Sequence, residues 1–171
     1  MGLLFSKFYS IESKILLLGL DGAGKTSLLY KLRLNKDIIT VPTIGFNVER
    51  IKNKNMTITV WDMGGQDKLR NLWKHYLSGA DGLVFMIDSC DHERINLANE
   101  ELYKIVCMPN QSLKYVLILA NKCDKQSSIR DIERIFPTSF IKCKRDFVYC
   151  SATDGTGIEK IMELMYQNLK N

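Results

Sequence analysis

The chain has 171 residues, 46% hydrophobic and 25% charged, and its 24 Lys and Arg against 19 Asp and Glu give a formal net charge of +5. That length suits one domain burying roughly 70% of the surface its unfolded form exposes, and no apolar run approaches the roughly 20 residues that cross a bilayer. The basic residues are scattered and no series of base-stacking aromatics accompanies them, which favours anionic ligands or an anionic membrane face and argues against nucleic acid.

At the N-terminus, Met1-Gly2-Leu3-Leu4-Phe5-Ser6-Lys7 fits the M-G-x-x-x-S/T pattern for myristoylation of Gly2. Leu4, Phe8 and Ile11 stand at i, i+4 and i+7, as on one face of a short amphipathic helix. Lys7 interrupts the apolar core a secretory signal needs, and no small-residue cleavage site follows. The bland alternative is a tail that begins Met-Gly by chance. One acyl chain binds membranes only marginally, on the order of 10⁴ M⁻¹, so Leu3, Leu4, Phe5 and Phe8, with Lys7 toward the headgroups, would have to add a second contact. The expected division is residues 1–13 as this segment and residues 14–171 as the domain. At the far end, Asn168-Leu169-Lys170-Asn171 has no cysteine for prenylation.

The apolar run Lys14 to Leu18 predicts a strand, and Ser27 to Leu32 carries leucines at helical spacing. Between them Gly19-Leu20-Asp21-Gly22-Ala23-Gly24-Lys25-Thr26 fills the GxxxxGK(S/T) phosphate-loop pattern. A phosphate chain needs backbone N–H groups turned inward at a helix N-terminus, and glycine lets the backbone make those turns and come close. Lys25 would reach the outer phosphates and the Thr26 hydroxyl would bind Mg²⁺.

After a connector from Asn35 to Val41, the alternating stretches Phe46 to Ile51 and Met56 to Trp61 flank a turn at Asn53-Lys54-Asn55, which predicts a hairpin. The second strand runs into Asp62-Met63-Gly64-Gly65-Gln66, where an acidic residue at a strand end and paired glycines suggest a metal-facing carboxylate and a backbone close to a ligand. The remainder alternates: Gly82 to Asp88, Glu93 to Val106, Tyr115 to Ala120, Ser128 to Ile135, Phe147 to Cys150 and Gly157 to Leu169. Apolar strands separated by amphipathic helices predict an α/β fold, a mostly parallel sheet covered on both faces. Right-handed crossovers then gather the loops after the strands on one edge. Cys90, Cys107, Cys123, Cys143 and Cys150 have neither CxxC nor zinc-like spacing, consistent with reduced thiols in the cytosol.

With Pro42-Thr43-Ile44-Gly45-Phe46-Asn47, Trp61-Asp62-Met63-Gly64-Gly65-Gln66, Asn121-Lys122-Cys123-Asp124 and Ser151-Ala152-Thr153 added to the phosphate loop, the chain resembles the small GTPases over nearly its whole length, and among them the Arf and Arf-like family. The resemblance implies a P-loop small-GTPase fold with a six-stranded sheet, one hairpin strand antiparallel, and helices on both faces. Gly19, Leu20, Asp21, Gly22, Ala23, Gly24, Lys25, Thr26 and Ser27 would cradle the phosphates of GTP or GDP. Thr43 would join Thr26 on Mg²⁺ when the γ-phosphate is present, Asp62 would hold the ion through water, and the Gly65 N–H would meet that phosphate. Asn121, Lys122, Asp124, Ser151 and Ala152 would form the base site: the Asp124 carboxylate accepts from two guanine N–H groups that adenine cannot offer, the Lys122 stem lies along the base, and the Ala152 N–H meets guanine O6. Gln66 would position the attacking water. Segments Asn35 to Asn47 and Gly64 to Leu77 would reorder together on loss of the γ-phosphate.

Further implications are an aromatic effector surface of Phe46, Trp61 and Tyr76, a monomer served by an exchange factor, an activating protein and effectors, and a cytoplasmic site on intracellular membranes, in membrane traffic. Asn35 to Thr43 contains no arginine, so turnover alone would be slow, a missing arginine finger being worth roughly 10³ to 10⁵ in rate. Asp21 adds negative charge near the phosphates. Cys123 stands where Arf proteins usually carry Gln, and packing or oxidation sensitivity are both open to it. A guanine-nucleotide scaffold with negligible turnover, disfavoured by Gln66 and Thr43, and an ATP-using phosphotransferase, disfavoured by Asp124, are the alternatives.

Overall fold

Successive side chains of a strand point to opposite faces, so an unbroken apolar strand needs cover on both sides. The computed structural model, which describes residues 11–34, 44–53, 56–109 and 112–169, provides that cover. Strands β1 (Ile11–Leu18), β2 (Phe46–Asn53), β3 (Met56–Met63), β4 (Gly82–Asp88), β5 (Tyr115–Asn121) and β6 (Lys144–Tyr149) form one sheet in the order β2-β3-β1-β4-β5-β6. Every pairing is parallel except that of β2 with β3, as expected for a small-GTPase sheet with one hairpin strand.

Ile15 and Leu17, with Val84, Met86, Leu117 and Leu119, share a core with Leu28 and Leu29 of α1 (Lys25–Leu34) and Ile161 and Met165 of α5 (Ile158–Leu169). Leu16, Leu18, Phe85, Val116 and Ile118 belong to the other core. There they meet Trp73 and Leu77 of α2 (Asp67–Leu77), Ala98 and Leu102 of α3 (Ile95–Val106), and Ile132 of the single-turn α4 (Ile132–Ile135). The odd and even residues of one strand thus feed two separate cores, which is why the central strands read as continuous apolar runs.

Several element boundaries differ from the expected ones, among them the start of β6, at Lys144 rather than Phe147. β1 starts at Ile11, so the division expected between residues 13 and 14 falls inside a strand. Polar residues hide this start: Ser13 is buried with its hydroxyl on the Leu169 carbonyl, and Glu12 accepts from the Thr59 hydroxyl of β3. α3 begins at Ile95 rather than Glu93. The helix expected over Ser128 to Ile135 shrinks to one turn, because the Ser128 hydroxyl and the Ile129 N–H are bound to Ser89 in the loop after β4.

The register places the chemistry on one edge. Leu17 of β1 lies opposite Asp62 of β3, and Asp88 of β4 opposite Asn121 of β5. Every loop that follows these strands therefore opens at the same end of the sheet. Gly2, Thr43, Lys54 and Asn55 lie outside the described residues, as does most of the segment from Asn35 to Asn47. Among the described residues no helix is long and apolar enough to cross a membrane.

Phe85 is fully buried between Trp73 and Phe136, with ring centroids 6.4 and 6.5 Å away. Phe85→Ala should lower the unfolding free energy by about 3–5 kcal/mol, measured by urea denaturation. An unchanged midpoint would contradict this packing.

Candidate functional site

The loop from Gly19 to Gly24 leaves β1 and enters α1, whose first turn holds Lys25, Thr26 and Ser27. The N–H groups of a first helical turn lack intrahelical acceptors, and that end carries the positive pole of the helix dipole. Gly24 has φ +95°, and a Cβ there would stand 2.4 Å from Asn121 Nδ2, so no other residue fits without displacing that side chain. Lys25 is buried and folds back over the loop, its ammonium donating to the carbonyls of Gly19 at 2.8 Å and Leu20 at 2.9 Å. Burial pushes its pKa down to about 8, against the pull of the Asp62 and Asp21 carboxylates. Phosphate oxygens would replace two neutral carbonyls with charged acceptors.

Below the loop, the Thr26 hydroxyl donates to Asp62 Oδ2 at 2.5 Å, and Asp62 is wholly buried at the end of β3. A hydroxyl beside a buried carboxylate at a helix N-terminus is a hard-oxygen set that fits Mg²⁺. Beyond Asp62 the chain runs against the phosphate loop. A Cβ on Gly65 would lie 2.4 Å from Asp21 N, Gly19 O and Leu20 C, so the contact is backbone on backbone. The Gly64 N–H donates to the Gly45 carbonyl at 2.9 Å. Its carbonyl accepts from Trp73 Nε1 at 3.0 Å, and the Gly65 carbonyl accepts from Arg70 Nε at 3.1 Å. Gln66 follows, exposed at the N-cap of α2, with no hydrogen bond from its side chain to the cap.

Asp21 does not add unbalanced charge. Arg94 donates from Nη1 to Asp21 Oδ1 at 2.9 Å and from Nη2 to its carbonyl at 3.2 Å, while Arg70 Nη2 lies 4.0 Å from the same carboxylate. Asp91 in turn holds Arg94 Nε at 2.6 Å. Sequence reading missed both arginines, since neither belongs to a local motif.

On the opposite side, Asn121 is a cross-brace. Its Nδ2 donates to the Ala23 carbonyl at 2.7 Å, and its Oδ1 accepts from the Ala152 N–H at 3.0 Å, so one buried amide ties three loops together. The Ala152 amide, expected to meet guanine O6, is thus committed to Asn121, and a base could only share it. Lys122 is the sole described non-glycine residue with positive φ, +67°, and its ammonium pairs with Asp88 at 2.5 Å. Asp88 is a third residue that the sequence motifs did not single out. Its signal was present: an acidic residue closing an apolar strand, as at Asp62. Asp124 is exposed at the rim. The Ser151 hydroxyl, fully buried, accepts from the N–H groups of Thr153 at 3.3 Å and Asp154 at 3.1 Å, shaping the loop after β6. Burial, and then the Asp154 and Asp124 charges, push the Cys123 thiol up, away from the reactive thiolate, which favours packing over oxidation there.

Phe46, Trp61 and Tyr76 do come together, from two strands and a helix. Their centroids are 5.4 to 5.7 Å apart, Phe46 is 47% exposed, and Ile44 beside it is 89% exposed. Lys14 Nζ stands 5.1 Å from the Trp61 ring while donating to the Tyr76 and Ser78 carbonyls at the end of α2.

Comparison with known proteins agrees with this geometry. Residues 2–169 match the model of the ADP-ribosylation factor family. ADP-ribosylation factor J of Dictyostelium discoideum is 40% identical over 175 residues, covering 98% of this chain and 93% of that protein. The Arl6 BBS3 small GTPase of Trypanosoma brucei, solved with the nucleotide analogue GppNp, superposes with a TM-score of 0.83 at 24% identity, over 92% of this chain and 97% of its own. The last of these likeness measures speaks for the fold alone.

Lys25 yields a pH test. With a pKa near 8 in the nucleotide-free protein, and phosphate favouring its charged form, nucleotide binding should take up protons above pH 8 and weaken as pH rises further. Calorimetry at pH 8.5 in buffers of different ionisation enthalpy should show net uptake; none would contradict the buried, poorly solvated ammonium.

Proposed function

The chain belongs to the ADP-ribosylation factor family of small GTPases, and from that membership we propose that it is a GTP/GDP switch that engages membranes and effectors in its GTP state, in intracellular membrane traffic. The observation that carries the reading is the seating of Gly65 on the phosphate loop, with Asp62 bonded to Thr26 beside it. A segment so placed feels whether a third phosphate is present.

In this mechanism the loop amides and Lys25 bind the phosphates, Lys25 exchanging its two carbonyl partners for phosphate oxygens. Thr26 and Thr43 would hold Mg²⁺, with Asp62 behind it through water, and the ion would neutralise charge on the β- and γ-phosphate oxygens. Asp124 reads guanine by accepting from its ring N–H and exocyclic amine. Asn121 holds the base loops in register with the phosphate loop, and Asp88 fixes the Lys122 stem that lines the base. Gln66, exposed and uncommitted at its cap, orients the attacking water. With no arginine between Asn35 and Thr43, charge neutralisation falls to an activating protein.

When the γ-phosphate leaves, Gly65 loses a partner and the helix behind it, α2, is released to move. Tyr76 lies near the end of α2 and Phe46 at the start of β2, so the aromatic cluster is built from both segments that would respond. That coupling is how the nucleotide selects the surface shown to effectors. Acylated Gly2, with Leu3, Leu4, Phe5 and Phe8, supplies the membrane contact.

Gln66→Leu should hold the GTP state and lose the stimulated rate, a factor on the order of 10³ to 10⁵, in single-turnover assays with the activating protein present. Unchanged turnover would remove Gln66 from catalysis. Flotation of the acylated protein on anionic liposomes should recover more of the GTP-loaded than of the GDP-loaded form; equal recovery would reject the membrane coupling.

A further inference from the structure

In a trans peptide the carbonyl and the following N–H lie in one plane and point to opposite sides. Holding one therefore aims the other. The plane joining Gly64 to Gly65 carries the Gly64 carbonyl and the Gly65 N–H, and it stands between two residues without a Cβ. Glycine leaves φ and ψ nearly unrestricted, so local sterics do little to stop this plane from rotating.

The restraint comes from α2. Trp73 Nε1–H donates to the Gly64 carbonyl at 3.0 Å in a buried setting. Trp73 is itself 1% exposed, and its ring meets Phe85 edge-on, with planes 85° apart, inside the core of Leu16, Leu18 and Ile118. The indole cannot follow a flipping peptide. The next plane is held as well, by Arg70 Nε on the Gly65 carbonyl at 3.1 Å. Arg70 and Trp73 are three residues apart on one helix face, so α2 grips the two carbonyls just before its own start. The close approach of Gly65 to Gly19, Leu20 and Asp21 puts the plane so fixed against the phosphate loop.

We propose that Trp73 is a positioning residue for recognition of the third phosphate: its indole N–H fixes the Gly64–Gly65 peptide so that the Gly65 amide is presented to a triphosphate before one binds. Without that bond the plane samples other orientations, and the triphosphate complex has to pay for ordering it. The diphosphate makes no use of the Gly65 amide and is indifferent. This rests on the GTP/GDP switch reading above.

The test replaces the indole N–H alone. Site-specific incorporation of β-(3-benzothienyl)alanine at position 73 puts sulfur where the N–H stood and keeps the shape, and Trp73→Phe is the encoded counterpart. Affinities for GDP and a non-hydrolysable GTP analogue are measured by competition, with thermal melting alongside. The sulfur analogue should keep GDP affinity within about twofold and lose on the order of tenfold or more for the triphosphate, the scale of one hydrogen bond to a charged group. 5-Fluorotryptophan, which retains the N–H, should restore the ratio. An unchanged ratio in the sulfur analogue, or equal loss for both nucleotides, would overturn the proposal. A wild-type protein that neither hydrolyses GTP nor distinguishes the two nucleotides would instead overturn the switch reading itself.

Discussion

The hydrogen bond from the Thr26 hydroxyl to the buried Asp62 carboxylate joins the exits of two neighbouring strands. It exists because β1 and β3 are parallel partners with Leu17 opposite Asp62, so the phosphate loop and the paired glycines must leave the sheet side by side. The rest of the site is arranged around that adjacency. Gly65 lies on the phosphate loop because β3 ends there, and Arg70 and Trp73 reach back to it because α2 begins one turn later. Parallel pairing on the other side, of β4 with β5, brings Asp88 beside Asn121 and places the loops after those strands level with the phosphate loop.

Charge at the site is held in local balance. The buried Lys25 ammonium is partly offset by Asp62 and Asp21, and Asp21 is in turn gripped by Arg94 and approached by Arg70. A buried cation with neutral carbonyl partners is poorly compensated, and a phosphate bound there would relieve it. The loop tolerates aspartate at position 21 for the same reason: the arginines screen the carboxylate before it can repel an anion.

The phosphate loop, the Asp62 to Gln66 turn and the Asn121 to Asp124 string were legible in the sequence because each is a run of consecutive residues whose order fixes one backbone path. The mostly parallel sheet and its cover on both faces were legible too, from apolar runs alternating with amphipathic helices. The arginine grip on Asp21 was not, since Arg94 lies 73 residues away and nothing in its neighbourhood announces the partner. Nor was the role of Asn121 as a brace, which depends on Ala23 and Ala152 arriving from both ends of the chain. The early start of β1 escaped pattern reading because Glu12 and Ser13 are polar yet satisfied by cross-chain partners, and the short α4 because Ser128 spends its hydroxyl on Ser89. These are tertiary hydrogen bonds overriding local preference.

In the proposed switch, the turn at Gly64 and Gly65 registers the third phosphate and passes that information into α2. Amide hydrogen exchange of the peptide spanning Gly64 to Leu77, compared between the GDP complex and a complex with a non-hydrolysable GTP analogue, tests it most directly. Exchange across this peptide should be clearly slower in the triphosphate complex, most strongly at its N-terminal end. Identical exchange in the two complexes, with both nucleotides bound at saturation, would contradict it.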